Sequence, residues 1–90
     1  MNAVLHRTDV HTDPEMARQA YNSAFEELGL AWHWDRGTYA SLPPGPAGVL
    51  AYVEREHSHL LRAYEPDFLV EAVEQARSRC EAVMRSRGRG

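Results

Sequence analysis

The chain carries a single cysteine, Cys80, and no apolar run that approaches the roughly 20 residues needed to cross a bilayer. One cysteine excludes an internal disulfide and a cysteine-rich metal site, and agrees with a reducing compartment. The N-terminus lacks a basic segment followed by an apolar one, so neither a secretory signal nor a membrane contact is expected, and the anticipated location is the cytoplasm. Internal repeats, low-complexity tracts and a glycine-rich phosphate loop are missing as well. What is there, 43% hydrophobic and 26% charged residues in a chain of 90, is the composition of one ordinary globular domain. A domain of this size buries only about two thirds of its unfolded surface, so its core is modest and self-association would add to its stability.

Charge is unevenly placed. From Arg77 onward five arginines stand against one glutamate, or +4, which leaves −7 for residues 1–76 out of a net −3. The tail Arg85-Ser86-Arg87-Gly88-Arg89-Gly90 could meet nucleic acid through its cations. The plainer reading is a solvated helix end whose arginines offset the negative pole of the helix, and the acidic body makes nucleic acid the less favoured partner. Cys80 reads as a small apolar residue on a helix face in preference to a reactive thiol, which needs an electropositive setting.

Helix signals divide the chain. Asp13-Pro14-Glu15 supplies an N-cap, a proline for the first helical position and an acid for the first turn. Ala17, Ala20, Tyr21, Ala24, Phe25 and Leu28 then share one face, and Gly29 is a natural C-cap, which predicts a first helix over about 14–28. Leu30, Trp32 and Trp34 alternate with Ala31 and His33, the pattern of a short extended link that sends large side chains into the core. Asp35 can cap a short second helix carrying Tyr39 and Leu42, and Pro43-Pro44-Gly45-Pro46 stops it. A third helix is expected from Pro46 to about His57, with Leu60, Leu61 and Tyr64 in a following turn. Pro66 opens the last, where Leu69, Val73, Ala76, Cys80 and Val83 form a packing seam and Val70 and Met84 widen it. The division expected is a flexible segment over 1–12, with at most a weak strand at Ala3-Val4-Leu5, a helical domain over 13–84 and a basic tail over 85–90.

Arg18-Gln19-Ala20-Tyr21-Asn22, Phe25, Gly29-Leu30, Trp32, Trp34, Tyr39 and Leu42 together resemble the first cap helices of phosphoglycolate-phosphatase-like and sugar-phosphate-phosphatase members of the haloacid dehalogenase superfamily. Residues 49–52, Leu60-Leu61 and the helix over 66–79 are similar in layout to the rest of such a cap, so the resemblance spans roughly 13–80. It implies an all-α, four-helix, cap-like fold. It also implies chemistry that the sequence does not supply. In that family an Asp-x-Asp pair followed by Gly-Thr provides the nucleophile on phosphorus and the acid/base, with Mg²⁺ holding the phosphate. Here the nearest fragment, Asp9-Val10-His11-Thr12, has His in the second place and no glycine. The cap's Gly-Gly-Lys-x-Arg substrate loop is replaced by Pro43-Pro44-Gly45-Pro46-Ala47-Gly48, and no core-domain motif follows residue 80. Phosphatase activity is therefore not expected.

Other clusters have a chemical and a bland reading. Glu54 and His57 lie three apart on a helix, beside Glu56 and His59, and could ligate a metal ion, but the spacing matches no known metal motif and suits an exposed, mixed-charge helix end. His6, Asp9, His11 and Asp13 form a second possible cluster near the N-terminus. Trp32, His33 and Trp34 could be a binding platform, though their alternation favours packing. No catalytic residue, metal ligand or cofactor is nominated. The expected role is non-catalytic association with a second copy or another protein, through the C-terminal helix at Val70, Val73 and Met84. The alternatives are a metal-assisted enzyme formed at a dimer interface from His33, His57 and His59, or nucleic-acid binding by the arginine tail.

Overall fold

A computed structural model describes residues 14–88 and is all-α. The weak strand expected at 3–5, the Asp13 cap and the His6/Asp9/His11/Asp13 cluster lie outside the described residues. Four α-helices follow in order: α1 (Pro14–Glu27), α2 (Arg36–Ser41), α3 (Pro46–Glu56) and α4 (Pro66–Gly88), with a 3₁₀ turn at Ser58–Arg62 between the last two.

Local chemistry sets the boundaries. Gly29 sits at φ 76°, where the Leu30 N–H donates to the Phe25 carbonyl at 2.8 Å and the Gly29 N–H to that of Glu26 at 3.1 Å. This pair of bonds ends α1 in a Schellman turn, which wants glycine at the left-handed position. The link then alternates as the sequence predicts: Trp32 and Trp34 are buried, whereas Ala31 and His33 are exposed. Asp35 caps α2, its Oδ1 accepting the Thr38 N–H at 2.7 Å. That hydrogen bond holds the carboxyl below its ordinary range. Asp35→Ala should lower the melting temperature by a few degrees in thermal denaturation followed by circular dichroism, while Asp35→Asn, which keeps an acceptor, should restore most of the loss. Pro46 and Pro66 occupy the first positions of α3 and α4.

Tyr21, Phe25, Trp32, Trp34, Leu42, Val49, Val53 and Val73 form one core. Aromatic rings dominate it. Trp34 meets Phe25 edge-on at 4.9 Å and Tyr52 at 5.4 Å, and Phe25 meets Trp32 at 5.2 Å, the T-shaped geometry that ring quadrupoles favour. The most extensive helix contact is α1 on α4. Ala20, Ala24 and Ala76 are all fully buried, and such small side chains let helices approach closely. Beside them Tyr21 donates its hydroxyl to Glu74, whose other oxygen accepts from Arg77 at 3.1 Å, and the Arg77 guanidinium lies 5.6 Å from the Tyr21 ring centre. Burial first, and then the bond to Glu74, push the Tyr21 phenol far above its ordinary range, so it stays a hydrogen-bond donor at any ordinary pH.

The last helix departs from expectation at two positions. Val73, expected to face a partner, is 2% exposed and belongs to the core. Val83, expected on the seam, is 48% exposed. A strict seven-residue repeat drifts about 20° per heptad on a straight α-helix, so the two heptads from Leu69 to Val83 carry the stripe some 40° off the core face. The helix also runs on to Gly88, so Arg85 and Arg87 are helical.

Candidate functional site

Among the described residues, several groups capable of chemistry are engaged within the monomer. Asn22, on the inner side of α1, clamps the backbone of Trp34: its side-chain N–H donates to the Trp34 carbonyl at 2.9 Å and its Oδ1 accepts the Trp34 N–H at 2.7 Å. Arg18 donates to the same carbonyl at 2.9 Å and pairs with Glu15 at 2.6 Å. Sequence reasoning placed Arg18 and Asn22 only in a family-like string; the bonds show that they anchor the link to α1.

A groove of about 610 Å³ opens beside that anchor, lined by Ala17, Tyr39, Leu42 and Pro44 with Arg18 and Arg36 on its rim. Two guanidinium groups above an apolar floor would suit an anionic ligand, but Glu15 already accepts from both. Arg36 lies 3.2 Å away, and the bonds from Arg18, Gln19 and Arg36 hold the Glu15 carboxyl down at about 2. The cations are neutralised in place.

His57 is similarly occupied. His57 closes α3 and stacks on Trp32 with ring centres 4.8 Å apart, next to Tyr52 at 5.2 Å and His59 at 5.9 Å. Burial, then the neighbouring His59, push its imidazole below the usual range, which favours the neutral ring. Glu54 and His33 are exposed. Among the described residues no group of three His, Cys, Asp or Glu side chains is placed to hold a metal ion. Cys80 donates to Glu27 at 3.6 Å, and burial followed by that carboxylate pushes the thiol up, the opposite of what a nucleophilic thiolate requires.

Among the described residues one exposed feature is aromatic. Tyr64 and Phe68 stack with centres 5.9 Å apart and planes at 16°, yet they are 48% and 59% exposed. They bracket the start of α4, with Val83 exposed near its far end. Of the partner residues expected from sequence, Val73 is in the core. Val70 is half-buried in a shallow groove with Pro46, Ala47 and Leu50, and Met84 is half-buried in another, lined also by Ser23 and Glu27 of α1 and by Val83. The structure therefore does not bring the three together. Phe68 was missed because it precedes Leu69 and reads as part of the same apolar run, although one residue is a 100° turn on the helix wheel. No helix among the described residues is long and apolar enough to cross a membrane. Neither a family model, nor a curated protein, nor a solved structure matches the chain.

Proposed function

We propose that this chain is a cap-like helical module that works by binding protein, without chemistry of its own. The observation that carries this reading is the Tyr64/Phe68 pair, a stacked aromatic plate left about half in solvent on a domain whose other aromatic clusters are packed into the core. Aromatic residues are the commonest anchors of protein interfaces, because they bury a large area at small cost in side-chain entropy. Support comes also from the polar side. Arg18, Arg77 and Arg79 each have a carboxylate partner within the chain, so their charge is already met.

The cap resemblance fits the same reading. Tyr21, Phe25, Trp32, Trp34 and Leu42 of the family-like string are core residues, and Arg18 and Asn22 tie the link down, so the matched positions serve the fold. A fold can be kept while the chemistry grafted on it is lost. Two experiments test the proposal. Supplied with Mg²⁺, the purified chain should release no phosphate from p-nitrophenyl phosphate or from sugar phosphates; turnover that survives purification and vanishes in Asp9→Asn would overturn it. In the native cell, a photo-crosslinking amino acid at position 68 should capture protein, whereas the same group at position 36, on the rim of the Arg18/Arg36 groove, should not. Capture at 36 alone would move the binding site to that groove.

A further inference from the structure

We propose that residues 1–13 of the same chain occupy the groove beside Arg18 and Arg36, closing it to other proteins from within. This contact does not depend on what the Tyr64/Phe68 plate binds.

The groove has an apolar floor of Ala17, Tyr39, Leu42 and Pro44, and Pro14, the first described residue, stands in its wall. The chain that precedes Pro14 is therefore joined to α1 at the mouth of the groove. An extended chain covers about 3.3 Å per residue, so Val10, four residues upstream, can lie up to about 13 Å from Pro14, and Leu5, nine upstream, up to about 30 Å. These reaches cover a groove of about 610 Å³ with chain to spare. Ala3, Val4, Leu5 and Val10 supply the apolar side chains that such a floor would remove from water. Tethering decides between this occupant and a free one. A segment attached at the wall stands at an effective concentration on the order of millimolar, so contacts too weak to hold a separate peptide suffice to hold it.

Charge is compatible with the same occupant. Arg18 and Arg36 are balanced on the rim by Glu15 and by Glu81, which itself accepts from Arg77 and Arg85, so no strong field selects a highly charged ligand. Residues 1–13 are nearly neutral in their turn, with Arg7 against Asp9 and Asp13. Arg36 is 81% exposed and gives Glu15 its Nε–H, while a guanidinium has five N–H donors, so the carboxylate of Asp13, next to Pro14, or of Asp9 can add to it.

Amide spectra of the ¹⁵N-labelled full chain test the contact. Val4→Glu combined with Leu5→Glu should shift the Ala17, Tyr39 and Ala40 signals and leave those of Phe68 and Val83 in place. Asn2→Glu, which adds charge at a polar position, should leave the groove signals where they were. A nitroxide on Asn2→Cys in a Cys80→Ser background should broaden the Tyr39 and Ala40 amides, and the paired glutamates should remove that broadening. Groove signals indifferent to the paired glutamates, or broadening that persists through them, would overturn the proposal. So would groove signals that move only on addition of native-cell extract, which would assign the groove to another protein. Each of these failures leaves the association reading intact, because its own signals are those of Tyr64 and Phe68.

Discussion

Trp34→Ala should abolish cooperative folding at physiological temperature. The indole is 1% exposed and packs between Phe25, Tyr21 and Tyr52. Truncating so large a buried ring costs about 3–5 kcal/mol, the lost transfer of the ring plus the cavity it leaves, against a total stability of only about 5–15 kcal/mol. The cost should lie at the upper end of this range, because the cavity would open where α1, the link and α3 converge, among the rigid rings of Tyr21, Phe25 and Tyr52. Trp34→Phe separates ring burial from the indole N–H. That N–H is buried without a hydrogen-bond partner among the described residues, so the phenylalanine variant loses volume but sheds an unsatisfied donor, and its urea midpoint should fall by well under half as much as that of the alanine variant.

The second large effect has the opposite sign from the one helix propensity gives. Gly48 lies in the first turn of α3, where replacing glycine by alanine ordinarily stabilises by up to about 1 kcal/mol. A methyl group there would stand 2.2 Å from the Pro43 carbonyl oxygen. Pro43 is joined to Pro44, whose ring fixes its own φ, so the oxygen cannot move aside without carrying the turn with it. Gly48→Ala should therefore destabilise by about 3 kcal/mol, the upper part of the range for overpacking. Chemical denaturation decides it: an unchanged or higher midpoint would mean that the Pro43 carbonyl does not lie as close to Gly48 as described. The neighbouring Ala47→Gly, at an exposed position in the same turn, should cost no more than the propensity difference.

Local devices were legible in the sequence. The starts of α1, α3 and α4 are marked by proline at the first helical position, the start of α2 by Asp35, and the end of α1 by Gly29, because each acts within one turn of chain. The burial of Trp32 and Trp34 was legible too, since alternation in an extended link has only two faces to choose from. Contacts that join distant positions were not. Nothing near Asn22 announces that it will clamp a backbone twelve residues away, and nothing near Tyr21 announces a bond to Glu74, fifty-three residues on. The candidate site suffered most. Val73 and Phe68 are both apolar residues near the start of one helix, and their difference depends on where α1 and α3 lie against it, which periodicity alone does not fix. Their exchange moved the apolar surface available to a partner from the inner edge of α4 to its outer face.

The central claim, that this domain acts by association through the exposed Tyr64/Phe68 plate, is tested most directly by amide signals of the ¹⁵N-labelled chain on addition of native-cell extract. Shifts or line broadening should centre on Tyr64 and Phe68, with Arg18, Arg36 and Tyr39 in the Arg18/Arg36 groove unmoved. Spectra that extract leaves unchanged, or changes that gather around that groove, would contradict it.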